Sequence, residues 1–313
     1  MKIAYLISAY VDPKQLKRLI ESLEYNDECH FYVHIDKKSN INSFKEECKN
    51  LKNIYWVEDR IYVSWAGYSQ VNAILSMIKL MLDSEIKYDR VISMTGCDYP
   101  LWSNEQIHKE FKENLNKQYM IGFNISKSES DGQKRKVNQY WLLDLHIKNR
   151  KIVKCISKGF EKTMDILPIR KRVYQKEKNG YDIWYSSDYW ALTYECVKKL
   201  YYQYINDKNL VRYLKTSFAP SELFMATMVF NSKYKKFATV LNVKKPKGLD
   251  KLTALHYIDY SNGIVVFNEN DFDRLRKSGK MFARKFNTGK SEKLIKMIDD
   301  LRKKESKDEN INS

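Results

Sequence analysis

No run of about 18 apolar residues occurs in this chain, so nothing in it reads as a membrane-spanning helix. The first residues, Met1-Lys2-Ile3-Ala4-Tyr5-Leu6-Ile7-Ser8, are too short for a signal-peptide core and read directly as a strand. Cysteine is sparse. Cys29, Cys48, Cys97, Cys155 and Cys196 are odd in number and widely spread, with no C-x-x-C spacing. That pattern argues against a zinc site and a disulfide framework, and fits reduced thiols in a cytosolic protein. No zinc-finger spacing, no aromatic-basic RNP pattern and no G-x-x-G loop is present, so nucleic acid is not an expected partner. Internal repeats and low-complexity linkers are missing as well. Two aspartates follow apolar, strand-like runs, and neither Asp36 nor Asp98 belongs to an Asp-x-Asp pair. A metal-binding carboxylate pair is therefore not expected there.

What is present is a chain of 313 residues, 43% apolar, long enough to bury a full core. Its 23 tyrosines suit a cleft for sugars or bases, because rings pack on apolar faces while hydroxyls hydrogen-bond. They serve an ordinary core equally well. A net charge of +17 favours polyanionic partners such as anionic lipid headgroups or phosphorylated substrates. The excess lies mostly in residues 134–178, 233–251 and 274–304, and a solvated basic surface accounts for it too.

The first 120 residues alternate strand and helix. Strand Lys2–Ala9 leads to helix Pro13–Tyr25, with Asp12 as N-cap and Pro13 at the first helical position. Strand His30–Asp36, a polar helix near Asn42–Asn50 and strand Ile54–Val57 follow. Val71, Ile74, Leu75, Ile78 and Leu82 recur at helical spacing in Ser69–Ser84. Strand Arg90–Thr95 and a helix from Ser103, with Glu105 and Gln106 in its first turn, complete the series. This order predicts an α/β fold with a mostly parallel central sheet and helices on both faces.

Residues 127–182 form a basic insertion over the cleft, and 183–290 a second half that carries the chemistry. The second half reads as a regular stretch Trp184–Thr193, a helix Tyr194–Asn206 and a helix from about Ser221. A strand-like Gly263–Phe267 and a helix Glu269–Ser278 come next. A basic helix Gly289–Leu301 then ends in a frayed polar tail, Ser306–Ser313. Residues 1–305 thus read as one domain, of which 1–120 bind the nucleotide.

Ligands of open α/β sheets bind beyond the carboxyl ends of the strands, which is where Asp36 and Asp98 fall. Glu222, in Pro220-Ser221-Glu222-Leu223-Phe224, occupies the first turn of an apolar helix. A carboxylate there is favoured by the helix dipole; aimed into a cleft, it could also take a proton from an acceptor hydroxyl. The segment Tyr62-Val63-Ser64-Trp65-Ala66-Gly67-Tyr68-Ser69 is a turn leading into a helix. Gly67 allows close backbone approach there, and Ser69 is placed as N-cap. Trp65 by itself reads as core. Lys280-Met281-Phe282-Ala283-Arg284-Lys285-Phe286 interleaves cations with aromatics, as a surface turn or as a diphosphate site. His30 and His34 share one strand face and read as structural.

Six segments stand in the order of one family: Ala4-Tyr5-Leu6-Ile7, His34-Ile35-Asp36-Lys37-Lys38-Ser39, Val63-Ser64-Trp65-Ala66-Gly67-Tyr68-Ser69, Gly96-Cys97-Asp98-Tyr99-Pro100-Leu101, Pro220-Ser221-Glu222 and Phe282-Ala283-Arg284-Lys285-Phe286. Over about residues 2–287 the chain resembles the core-2/I-branching β-1,6-N-acetylglucosaminyltransferases, a family that also holds peptide-O-xylosyltransferases. The resemblance implies a GT-A-type fold and inverting transfer from a UDP-sugar donor without a metal or other cofactor. It implies Glu222 as catalytic base, and Asp36 and Tyr62 at the uridine end. Lys285 falls on the diphosphate, and Asp98 near the donor sugar. His256 stands where the family often has an arginine, and Arg284 could substitute for that cation. The membrane anchor and disulfide cysteines of animal members are missing, which implies a bacterial cytoplasmic enzyme. The expected function is transfer of GlcNAc, xylose or glucose to a glycan hydroxyl in surface polysaccharide synthesis. From its charge, the acceptor is expected to be lipid-linked at the inner face of the cell membrane. The alternative is a non-catalytic, basic polyanion- or membrane-binding member of the same fold.

Overall fold

The computed structural model describes residues 1–145, 150–167, 180–243 and 250–312. Strand and helix alternate from the start: β1 (Ile3–Ala9), α1 (Pro13–Leu23), β2 (Cys29–Ile35), α2 (Ile41–Glu47), β3 (Ile54–Trp56), α3 (Ser69–Asp83) and β4 (Arg90–Thr95). Then come β5 (Asp98–Pro100), α4 (Asn104–Glu113), β6 (Ile121–Asn124), α5 (Asp131–Asn138) and α6 (Arg150–Ile166). The second half holds β7 (Trp184–Ser186), β8 (Ala191–Thr193), α7 (Tyr194–Asn206), α8 (Lys208–Leu214), α9 (Ser221–Phe230) and β9 (Thr239–Val240). β10 (His256–Ile258), α10 (Phe272–Lys277), β11 (Phe282–Arg284) and α11 (Glu292–Asn312) complete the chain.

The main sheet runs β3-β2-β1-β4-β8, parallel throughout except for β8 against β4. Alternate residues of its strands enter two separate cores, as the two-residue period of a pleated strand requires. Ala4, Leu6, Tyr32 and Val91 pack under α3, α7 and α9. Ile3, Tyr5, Ile7, Phe31 and Met94 pack under α1, α2 and α4. The α/β reading with helices on both faces is what the structure shows. Local signals hold too: Asp12 caps α1 by accepting from the Gln15 amide at 3.1 Å. Ser103 and Gln106 close a capping box on α4.

Three departures concern the C-terminal part. Gly263–Phe267 is not a strand; its amides are taken singly, Val265 N–H by the Asp259 carbonyl and Phe267 N–H by the Lys285 carbonyl. The strand of this region is β10. It joins β11 and β5 in a small sheet ordered β10-β11-β5, of which β11 lies in the segment read as a surface turn or a diphosphate site. The expected frayed tail continues α11 to Asn312, because no Gly or Pro interrupts 290–312 and lysines alternate with acidic residues. In the basic insertion α5 and α6 are described, whereas 146–149 and 168–179 lie outside the described residues, as do 244–249 of the second basic stretch.

Candidate active site

β2, β1 and β4 end at one sheet edge, with Ala9 opposite Ile35 and Ser8 opposite Thr95. Two interstrand spacings of about 4.8 Å separate β2 from β4, so Asp36 and the Thr95–Asp98 turn flank the crevice roughly 10 Å apart. Tyr10 and Val11 lie exposed between them.

Asp36 organises one corner of this edge, where the resemblance implied the uridine end. Its carboxylate accepts from the Lys38 amide at 3.0 Å and the Val63 amide at 3.4 Å, and pairs with Lys38 Nζ at 3.1 Å. The same ammonium lies 4.9 Å from the Tyr62 ring centroid. Asp36, Lys38 and Tyr62 therefore share one corner. His34 stands behind them, its Nε2 accepting from the Ile61 amide at 2.9 Å, and burial pushes its pKa down to about 4.

Asp98, which the resemblance implied near the donor sugar, opens β5 just after β4. It has no exposed surface. Its oxygens accept from the Thr95 amide at 2.7 Å and the Thr95 hydroxyl at 2.6 Å. The Arg284 guanidinium is 3.3 Å away and His256 Nε2 3.2 Å away. Asp98 thus sits behind the cleft and positions Arg284. His256 is equally sealed, between the Tyr189 and Phe282 rings. Burial by itself would lower the Arg284 pKa, but facing Tyr189 and Asp98 it is raised, so this side chain stays a cation. Lys285 follows it, half-buried, and among the described residues it has no ion-pair partner. The loop beyond is clamped to the start of α1, where Asp12 accepts from the Thr288 amide at 2.7 Å and its hydroxyl at 2.6 Å.

Glu222 stands in the first turn of α9, where an acidic side chain suits the helix N-terminus. The backbone leading to it is strained. Ala219 (φ 47°) donates its amide to the carbonyl of Ala66 (φ 57°) at 3.0 Å, two left-handed non-glycine residues held against each other. Tyr185 donates its hydroxyl to Glu222 Oε2. Lys136 of α5 donates to that tyrosine oxygen at 2.8 Å, with its ammonium 4.0 Å from the ring centroid. Burial raises the Glu222 pKa, and Lys136 and Tyr185 only partly offset it.

A second carboxylate completes the group. Asp188 accepts from the Ser221 hydroxyl at 3.2 Å, and burial together with the charge of Glu222 pushes its pKa up to about 7. The charge of Arg284 offsets part of that rise. A buried carboxyl raised by the charge of a neighbouring one is an arrangement that marks acid–base sites. Asp188, Tyr185 and Lys136 were not singled out from the sequence. The available signal was a charge interrupting the aromatic run Trp184-Tyr185-Ser186-Ser187-Asp188-Tyr189-Trp190, which leads from β7 in one sheet to β8 in another.

The turn before α3 also differs from its reading. Trp65 is not core: it is 79% exposed and meets Phe218 edge-on at 5.6 Å. Ser69 is already helical, and its amide and hydroxyl both donate to Asp144, at 3.1 and 2.5 Å. Gly67 does serve close approach, since a Cβ there would stand 2.2 Å from the Asp144 carboxylate. Among the described residues, no group of three or more His, Cys, Asp or Glu side chains could hold a metal ion.

The family model described as Core-2/I-Branching enzyme matches residues 3–263. The chain belongs to the Core-2/I-Branching enzyme family. It is 24% identical to xylosyltransferase 2 of Rattus norvegicus over 313 residues, which is 96% of this chain and 33% of that protein. A shorter match, 31% identical over 114 residues, is to a beta-1,3-galactosyl-O-glycosyl-glycoprotein beta-1,6-N-acetylglucosaminyltransferase 4 of Mus musculus, covering 35% of this chain and 25% of that protein. The chain thus spans about a third of the length of the xylosyltransferase 2 relatives that match along it. Among solved structures, 4-diphosphocytidyl-2C-methyl-D-erythritol synthase from Anaerococcus prevotii aligns with 81% of this chain and 94% of its own, at 14% identity and a TM-score of 0.38.

Proposed function

We propose that this member of the family is a glycosyltransferase that moves a sugar from a UDP-sugar to a glycan hydroxyl with inversion and without a metal. The observation that carries the reading is the meeting of two buried carboxyls of raised pKa, Glu222 and Asp188, with the cation Arg284 at the edge where the parallel strands end. In the proposed step the pair takes the acceptor hydroxyl proton, with Glu222 as the base. The freed oxygen bonds to the anomeric carbon as the bond from that carbon to the UDP oxygen breaks. UDP leaves toward Arg284 and Lys285, whose fixed charges favour the transition state over the bound donor. Asp36 and Tyr62 hold the uridine. The sealed position of His256 supports Arg284, rather than the imidazole, as the partner of Lys285. The names of the relatives support xylose or GlcNAc as donor sugar. A glycan carried on a lipid, in cytoplasmic surface-polysaccharide synthesis, fits the basic surface.

Glu222→Gln decides the base. It should retain under 1% of transfer while folding with a Tm no lower than the native protein's; full activity in that variant, with loss in Asp188→Asn, would move the base to Asp188. Activity should survive EDTA, and loss restored by Mn²⁺ would refute metal independence. A panel of UDP-sugars screened for a rise in Tm identifies the donor by mass action.

A further inference from the structure

The exposed face of α6 carries a feature that transfer chemistry does not use. At about 100° per residue, Ile152, Cys155, Ile156, Gly159, Thr163 and Ile166 fall on one side of this helix. That side faces outward: Ile152 is 46% exposed, Ile156 40% and Ile166 83%. Leu167, just past the end of α6, is exposed as well. Exposed Lys158 and Lys162 edge the stripe. The acidic residues lie elsewhere: Glu161 and Asp165 both accept from Arg135 of α5, at 3.1 and 2.8 Å. Met164 is buried on the inner face, and the Ser157 hydroxyl is tied to the Leu142 carbonyl at 3.1 Å.

We propose that α6 is a docking helix that lies in the headgroup layer of an anionic membrane, with its isoleucines inserted and its lysines on lipid phosphates. A helix of 17 residues, about 25 Å long, apolar on one outward face and edged by cations, is the form that binds such an interface. The charge of the whole chain, +17, attracts the same surface, and the acids of the helix are withdrawn from it. α5 fixes where the site then sits. Its Arg135 holds α6, while the next residue, Lys136, reaches Tyr185 beside Glu222. Docking therefore brings the carboxylate pair close to the lipid surface, within reach of an acceptor anchored there.

The test is co-sedimentation of the full chain with vesicles, which reads binding without chemistry and so stands or falls apart from the transferase reading. At 100 mM NaCl, the partition coefficient for vesicles with 30% phosphatidylglycerol should exceed that for pure phosphatidylcholine about tenfold or more. Ile156→Ser with Ile166→Ser should lower it about tenfold while leaving Tm and transfer to a soluble acceptor unchanged. Lys158→Ser with Lys162→Ser should remove most of the preference for anionic lipid. Equal binding to both vesicles, or no binding, overturns the proposal. So does an isoleucine variant that binds as the native chain does, which would mean adsorption by charge alone. A concentration-dependent dimer abolished by the isoleucine variant would assign the face to a second copy of the chain and also overturn it.

Discussion

Asp188→Asn should stabilise the protein, and the gain should grow with pH. A carboxyl whose folded pKa lies above its unfolded value binds its proton more tightly when folded. Folding stability therefore falls as pH rises from the unfolded value to the folded one, and levels off above it. For Asp188 these limits are 3.8 and about 7. At about 1.36 kcal/mol per pH unit, the full span amounts to about 4 kcal/mol. Part of the side chain still reaches solvent, which brings the expectation to about 2–4 kcal/mol at pH 8. At pH 4 both side chains are neutral, and asparagine can still accept from Ser221, so the gain should nearly vanish. Urea unfolding at pH 4, 5, 6, 7 and 8 measures it. Glu222→Gln should shift the falling limb of native Asp188 to lower pH, because the charge that raises Asp188 is removed. Parallel stability profiles for the native protein and Asp188→Asn would refute the carboxylate pair.

Lys285→Ala should change stability by less than about 0.5 kcal/mol yet abolish the rise in Tm given by UDP; a retained response would exclude it from the diphosphate site. Arg284→Ala should cost about 3–5 kcal/mol in urea unfolding, since Asp98 would remain buried against His256 alone. Gly67→Ala should cost about 1–2 kcal/mol by pushing Asp144 off the first turn of α3, and Gly67→Ala combined with Asp144→Ala should add little further. Arg90→Met should lower Tm by several degrees, because the buried guanidinium donates to the carbonyls of Lys117, Asn114 and Leu115.

The parallel half of the fold was legible because its rules are local. Apolar runs such as Phe31–Ile35, a capping aspartate before Pro13 and helical spacing in 71–82 each point to one element. β5 and β11 were not, since three-residue strands carry too little pattern and exist here through pairing across the chain, β11 with both β5 and β10. The site divided along the same line. Glu222, Arg284 and Lys285 were found from their motifs, whereas Asp188 and Lys136 become visible only when α5 and the β7–β8 gap are folded against α9. Asp98 was noticed for its place after a strand, but the depth of its burial is set by His256 and Arg284, which no local reading brings to it. Trp65 shows the converse: an aromatic between small residues looks like core until the surrounding surface is known.

The pairing of β5 with β11 also has a consequence for synthesis. Asp98 leaves the ribosome 186 residues before Arg284, the cation that pairs with its buried carboxylate. At about 5–20 residues per second, that interval is roughly 10–40 s. Throughout it, the parallel strands can associate while a charge destined for the interior has no guanidinium to meet. Asp12 waits longer still for Thr288. The first half should therefore remain open at its ligand edge until the last strand arrives. A nascent chain stalled before residue 284 should then be cut by protease near Asp98, and one extended past α11 should resist.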